Sequence, residues 1–157
     1  MSSKVTILIA AGLAVAFVLV SDAQNARSGT SSEKRKPVMM TRLYTGPDGQ
    51  THAQEMEAKF TAGNTNEVFK LMAITGAELH RAATGTVIDW HTAPRRQYVI
   101  TLSGQGEIEV AGGKKFTVGP GHIDLVEDTT GKGHVTRVTG NEDRVTLQLP
   151  LSDQPGR

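Results

Sequence analysis

The chain has 157 residues, of which 38% are hydrophobic and 21% charged, and its net charge is +1, so it has room for one ordinary domain with one modest core. The near-neutral balance without a long basic run excludes a nucleic-acid-binding surface. The absence of cysteine excludes disulfides, zinc knuckles and cysteine nucleophiles. Because aromatic residues make up only 4%, the core must be built mostly from Val, Ile, Leu, Thr and Ala, and seventeen glycines favour an all-β fold.

The first 26 residues predict export. Residues 5–20 form an uncharged apolar run, which is short for the roughly 20 residues that span a membrane. Small residues at Ser21 and Ala23 fit a signal-peptidase site, so we predict cleavage after Ala23, with Ala26 as the alternative. An uncleaved anchor is the competing interpretation. Cleavage implies a periplasmic or secreted protein without stable membrane association.

The composition divides the chain into four parts. Residues 1–23 are the predicted signal peptide, and residues 24–36 are polar, lack periodicity and indicate a flexible linker. The folded domain is predicted over residues 37–152, and residues 153–157 form a short tail.

Short alternating segments separated by glycine-rich turns follow one another through the predicted domain, and no segment of helical period interrupts them. Such a density of strands predicts a β-sandwich or barrel. The predicted strands are 38–44, 55–60, 67–75, 78–81, 86–90, 97–103, 106–110, 114–118, 122–127, 134–138 and 144–151.

Three polar side chains at strand ends predict a pocket. On the strand 97–103, alternation places Gln97 and Thr101 on one face and Tyr98 on the other. His91 ends the preceding strand and His134 opens a later one. If these ends converge on one barrel mouth, they form a ligand or metal site.

The spacing of these residues resembles the cupin family. The first cupin motif is Gly, five residues, His-x-His, three or four residues, Glu, six residues, Gly; Gly85 and His91 fit its first interval, and Gln97 and Gly104 fit its last. The segment GPGHIDLVEDTTGKGH resembles the second motif, with a longer loop before His134. The resemblance implies an all-β, cupin-type double-stranded β-helix (jelly-roll barrel). WHTAPRRQYVITLSG with EDTTGKGH is similar to small single-domain bacterial cupins of unassigned activity, which lend no substrate.

Carried over from the family, the metal ligands are His91, Gln97 in place of the motif's Glu, and His134. The second histidine of the motif is Ala93 here, so three His and one carboxylate become two His and a neutral amide. Asp128 is a candidate to restore the carboxylate that Fe, Mn or Ni sites generally keep. The family implies a divalent transition metal (Fe, Mn, Ni or Zn) and no nucleotide cofactor.

Substrate contacts are predicted around the same mouth. Arg96 or Arg95 would clamp an anionic group, although a solvated turn is an equal alternative for one of them. Thr101 and Tyr98 on the central strand and His52 from the N-terminal segment complete the candidates, although Tyr98 points away by alternation.

Two further side chains are expected outside the pocket. Trp90 precedes His91 and is expected to pack in the core. His122 follows a Gly-Pro-Gly turn and is expected at the surface.

Three functions remain open from the sequence. The first is a metal-dependent oxygenase, lyase or isomerase acting on a small polar or anionic molecule. The second is a non-catalytic small-molecule or metal-binding protein. The third is a metal-free, epimerase-like acid–base enzyme using the two histidines. The resemblance also implies a homodimer that exchanges the segment 38–60.

Overall fold

The structure, a computed structural model, describes residues 35–154. The chain divides into two units, Met1–Lys36 and Pro37–Arg157. The predicted signal peptide and nearly all of the predicted linker lie outside the described residues. Within residues 35–154, no helix has both the length and the apolar character needed to cross a membrane.

The described part of the second unit is built from short β-strands. A single 3₁₀ turn, Ala111–Gly113, replaces one of the predicted glycine turns. The strands are β1 (Met39–Thr45), β2 (Thr51–Glu57), β3 (Thr61–Ala62), β4 (Glu67–Val68), β5 (Glu78–Ala82), β6 (Val87–His91), β7 (Gln97–Ser103), β8 (Gln105–Glu109), β9 (Lys115–Val118), β10 (Ile123–Val126), β11 (His134–Thr139) and β12 (Arg144–Pro150).

Two sheets hold most of these strands. The larger has the order β2-β1-β10-β7-β12-β5 and the smaller the order β6-β11-β8-β9, while β3 and β4 form a separate hairpin. From β5 onward the chain alternates between the sheets except at the β8–β9 hairpin, with β5, β7, β10 and β12 in the larger sheet and β6, β8, β9 and β11 in the smaller. This winding is that of a jelly roll, so the predicted all-β jelly-roll fold is confirmed. The two sheets are not hydrogen-bonded into a closed barrel.

Gly104 forms the corner at which the chain leaves β7 and enters the smaller sheet. Gly104 has a φ of +72°, a conformation that L side chains rarely adopt. A Cβ atom there would also lie 2.7 Å from Cα of Arg144, at the start of β12. The corner therefore requires glycine for both conformation and space.

The apolar residues form two clusters on opposite faces of the larger sheet. Between the sheets, an inner cluster joins both layers, and its buried members are Leu43, Ala93, Ile108, Val110, Val118 and Val126. On the outer face, a second cluster has Tyr98, Leu125, Leu149 and Leu151 as its buried members. Both clusters are dominated by aliphatic residues, as the scarcity of aromatics predicts.

One predicted strand is largely absent. Of residues 67–75, only Glu67–Val68 form a strand, and Ile74 makes an isolated bridge to Leu151. The stretch between them has no neighbouring strand to pair with. Met72 nevertheless packs against the outer cluster, whereas Leu71 and Ile74 are exposed.

The expected positions of Trp90 and His122 are wrong. Trp90 is 36% exposed because β6 is an edge strand, and the Lys132 ammonium lies 3.8 Å from its ring centroid. His122 is half-buried rather than at the surface, because its ring turns inward to the buried Asp124.

Candidate functional site

A cavity of about 430 Å³ lies between the two sheets. Its wall includes Gln97 and Val99 of β7, as the alternation along that strand predicts, together with His91 and His134. The volume is within the range of small-molecule sites. The predicted convergence of strand ends on one pocket is therefore present in the fold.

The two histidines are cross-strand neighbours. His91 at the end of β6 is directly opposite His134 at the start of β11, and their ring centroids are 4.4 Å apart. The close approach depends on Gly133, whose φ is +77° and whose hydrogen faces the backbone carbonyl of His91. Any Cβ at this position would clash with that carbonyl, so glycine allows the two strands to bring the rings together.

A buried carboxylate orients His134. Oδ2 of Asp128 lies 2.6 Å from Nδ1 of His134 and also accepts a hydrogen bond of 2.9 Å from Thr51 Oγ1. Because a carboxylate only accepts hydrogen bonds, Nδ1 is the donor, which leaves Nε2 as the basic nitrogen of the neutral ring. The other oxygen, Oδ1, is buried and has no hydrogen-bond partner among the described residues.

The backbone fixes the second histidine in the same tautomer. Nδ1 of His91 is 2.8 Å from the carbonyl oxygen of Asp89, to which it donates. Its Nε2 is therefore also the nitrogen without a hydrogen atom. The two rings bring two imidazole nitrogens of the same kind to one cavity.

The side-chain oxygen of Gln97 is already hydrogen-bonded to a neighbouring cation. Its Oε1 accepts a hydrogen bond of 3.1 Å from Nε of Arg95, whose guanidinium is in turn paired with Glu78. The amide oxygen, the only atom of Gln97 that could bind a metal, therefore faces a positive charge. Arg95 acts here as an anchor for Gln97 and lines a separate shallow pocket.

The residues present do not fit the metal site that the family implies. Asp128 binds the far nitrogen of His134 instead of adding a ligand, and Ala93, in place of the missing histidine, is buried in the inner cluster. Within residues 35–154, no group of three His, Cys, Asp or Glu side chains could hold a metal ion. Two imidazoles without a carboxylate fall short of the usual ligand set.

Arg96 is not brought to the cavity. Its guanidinium pairs with Glu127 and with Asp153, and Gln154 bonds its backbone. Burial raises the pKa of Glu127, but hydrogen bonds from Arg96 and Arg42 outweigh it and hold this pKa below its usual value. Arg96 therefore ties the end of the domain to the segment before the 127–134 loop.

Tyr98 and His52 also lie away from the cavity. Tyr98 is buried in the outer cluster, as its place in the alternation predicts, and its hydroxyl accepts from the backbone N–H of Met72 at 3.4 Å. His52 is exposed on β2, where its ring nitrogen lies 3.0 Å from Asp48 Oδ1. Thr101 is fully buried, and it contacts Arg144, a residue that the sequence did not single out.

Arg144 is the first residue of β12. It lines the cavity, is only 7% exposed, and donates from Nε and Nη2 to Oγ1 of Thr101 at 3.3 and 2.8 Å. The signal in the sequence was the alternation of Arg144, Thr146 and Gln148 with apolar residues. On this strand the polar face lines the cavity and the apolar face joins the outer cluster, the reverse of an ordinary sandwich strand.

Asp124 is a second buried charge that the sequence did not reveal. It lines the same cavity, and its Oδ1 lies 3.0 Å from Nε2 of His122, which also contacts Thr41 Oγ1 at 3.2 Å. The hydrogen bond to Asp124 raises the pKa of His122 despite the opposing effect of burial. Oδ2 of Asp124 is buried without a partner among residues 35–154.

No family model matches this sequence, and no curated protein matches it. Similar solved structures include a cupin 2 conserved barrel domain protein from Leptotrichia buccalis, at 20% identity and a TM-score of 0.39, with 60% of this chain and 39% of that chain covered. The Cnp3 cupin domain of Schizosaccharomyces pombe is 12% identical with a TM-score of 0.41, covering 75% of this chain and 86% of that one. An RmlC-like cupin from Desulfovibrio desulfuricans is 12% identical with a TM-score of 0.37, covering 82% and 94%.

This chain therefore spans well under half the length of the Leptotrichia protein. Likeness at such low identities and TM-scores carries no activity to this chain. The jelly-roll fold itself rests on the order of the strands, and membership of the cupin superfamily stays an expectation from the sequence.

Proposed function

We propose that the domain is an acid–base enzyme of cupin fold that removes and returns a proton on a small polar carbonyl compound, without a metal ion. The observation that carries this proposal is the hydrogen bond between Asp128 and His134, which directs the basic nitrogen of His134 to the cavity. A histidine oriented by a buried carboxylate is a recurrent arrangement for a general base.

The proposed reaction begins at the carbon next to the substrate carbonyl. Nε2 of His134 takes the proton, and the electron pair of the C–H bond moves to form an enolate. Asp128 stabilises the imidazolium that results, because its carboxylate already accepts the hydrogen bond from Nδ1. Return of the proton from His134 to the same carbon regenerates the substrate with its hydrogen exchanged, and delivery of the proton to the neighbouring carbon of the enediolate gives an isomer.

His91 is suited to the opposite role. Its ring lies beside that of His134, and its Nδ1 is held by a backbone carbonyl. When protonated, His91 can donate from Nε2 to the oxygen on which negative charge develops. Gln97 can assist from its amide nitrogen, since its oxygen is engaged by Arg95.

Exchange of carbon-bound hydrogen with solvent tests this proposal. The full-length protein is incubated in D₂O with a panel of small aldoses, ketoses and keto acids, and loss of the α-proton signal is followed by proton NMR. We expect at least one compound to exchange faster with the wild type, and His134→Asn to abolish that gain. Glu142→Gln, an exposed change, is the matched control.

Three results separate the competing functions. Exchange that is unchanged in His134→Asn would contradict the assignment of the base. Exchange that is lost on treatment with a chelator and restored by Fe, Mn, Ni or Zn would favour the metal-dependent enzyme instead. Binding of a compound without any exchange would favour the non-catalytic binding protein.

We place this activity in an exported protein, either periplasmic or secreted. The support is the apolar run at residues 5–20 with the small residues that follow it. Immunoblotting of cell fractions for a chain shortened by about 23 residues, as the cleavage pattern suggests, tests the location.

A further inference from the structure

We infer that Arg144 is a specificity-determining residue that binds a carboxylate of the ligand, so that the cavity takes hydroxylated organic acids of sugar size. The inference rests on the proposed function, because it names the substrate class of the same cavity. It arises from a buried guanidinium that has no ion-pair partner among residues 35–154.

The guanidinium of Arg144 uses only one of its edges. Nε and Nη2 converge on the single hydroxyl of Thr101, which is itself fully buried. The planar group has five N–H donors, so the edge formed by Nη1 and the second hydrogen of Nη2 is left over. That edge matches the two oxygens of a carboxylate.

The position of Arg144 is built into the surrounding backbone. The pairing of β12 with β7 shifts register between Val145 and Thr146, directly beside Arg144, and such irregularities re-aim neighbouring side chains. Gly106 leaves space for the stem, since a Cβ atom there would lie 3.1 Å from Cδ of Arg144. The side chain therefore enters the cavity instead of solvent.

The nearest opposite charge does not neutralise Arg144 by contact. Burial lowers the pKa of Arg144, and the charge of Asp124 opposes this effect from beyond ion-pair distance. Asp124 is instead hydrogen-bonded to His122. A buried cation without a contacting anion is costly, and a bound carboxylate would remove that cost.

Asp124 adds a preference for hydroxyl groups. Asp124 lines the cavity, and its Oδ2 is a buried acceptor without a partner within the described part of the chain. A second carboxylate of the ligand would be repelled there, whereas a hydroxyl would donate to it. Arg81 and His80 also line the cavity, and His80 lies 2.9 Å from Glu78.

The spacing along β7 sets the size of the ligand. Gln97, beside the histidines, is four positions before Thr101, beside Arg144, which is about 13 Å along a strand. A ligand that reaches from Arg144 toward His134 therefore needs a chain of several carbons. Lactate and glycolate would be too short.

Calorimetry on the full-length protein tests the inference with two monocarboxylic sugar acids, D-gluconate and D-galactonate, against their neutral amides. We expect at least one acid to bind 10-fold or more tightly than its amide. Arg144→Met should remove that preference. Arg144→Lys should keep only part of it, because an ammonium cannot bind both oxygens of a carboxylate side by side as a guanidinium does. Arg137→Met, at an arginine paired with Glu107 and Glu109, is the control.

The outcomes distinguish this inference from the proposed function. A wild-type protein that binds gluconate or galactonate more tightly than the amide but exchanges no proton would overturn the proposed function and keep the Arg144 site. Equal binding of acid and amide to the wild type would overturn the site whatever the variants do. If Arg144→Met fails to fold by circular dichroism, Arg144→Lys decides, and affinity unchanged in that variant overturns the inference.

Discussion

Oδ2 of Asp128 and Nδ1 of His134 are 2.6 Å apart, both side chains are buried, and the two residues are six positions apart in sequence. The pair converts a histidine at a strand end into a group of fixed tautomer with one nitrogen available to the cavity. Asp128 therefore acts behind His134 and does not touch the ligand.

Asp128→Asn is expected to lower kcat for proton exchange by on the order of 10²-fold, because it removes the charge that stabilises the His134 imidazolium. KM should change little, since Asp128 does not contact the substrate. Steady-state kinetics on the exchanging compound measure both constants. A purely structural role for Asp128 would instead lower the melting temperature and leave kcat per folded molecule unchanged.

Gly133→Ala is expected to cost more than about 1 kcal/mol of stability, since alanine at a positive φ is strained and its Cβ would clash with the His91 carbonyl. Gly85→Ala is a matched control: its φ is +75°, but a Cβ there meets nothing within 4 Å. Urea denaturation of both variants isolates the clash from the strain. Equal losses of stability in the two variants would mean that the strands move apart to admit the new Cβ at position 133 at no cost in free energy.

A tightly bound transition metal is not expected. Elemental analysis of the untagged wild type and of the double variant His91→Ala/His134→Ala should find metal well below one ion per chain in both. The reason is the donor set: two imidazoles, and an amide oxygen already bonded to Arg95. A full equivalent of metal in the wild type, lost in the double variant, would contradict this expectation and restore the metal-dependent function.

The stability contributed by His122 is expected to fall as the pH rises. Its folded pKa is raised above the ordinary value of 6.5, mainly by the hydrogen bond to Asp124. A raised pKa contributes stability that is complete below the unfolded value and is lost as the pH passes through the folded value. The difference in melting temperature between wild type and His122→Gln should therefore be larger at low pH than at high pH. A difference that grows with pH would reverse the assignment.

The homodimer predicted from the sequence has a surface suited to it. Leu79, Leu147, Ile100 and Ile123 are paired side by side across four strands on the outer face of the larger sheet. Leu79 is 72% exposed, which is unusual for a leucine at the end of an apolar row. We expect light scattering to give the mass of a dimer and Leu79→Asp to give a monomer. A monomeric wild type would contradict the prediction.

The sequence predicted the strands with alternating faces and close partners well. Residues 97–103 form a strand with the predicted bounds, and its two faces lie as the alternation requires because a buried strand fixes its register. The prediction for residues 67–75 failed because most of this segment has no strand beside it, although Met72 packs onto the outer cluster, and pairing is not visible in a local pattern.

The candidate site was only partly predictable. His91, Gln97 and His134 could be placed by spacing, because the spacing reflects strand and turn lengths. The role of Asp128 depends on a loop conformation, and that of Arg144 on a polar strand face that points inward. Both depend on tertiary contacts between distant segments, which a single sequence does not reveal.

The parallel pairing of β1 with β10 also constrains how the chain reaches its fold. Thr41 is registered with Asp124, so the first strand cannot take its place in the larger sheet before most of the domain has been synthesised. Until then β1 has only β2 beside it, and an isolated two-stranded hairpin is marginally stable in water. The larger sheet can therefore be completed only after β10 has left the ribosome, because β1 and β10 are 78 or more residues apart in sequence.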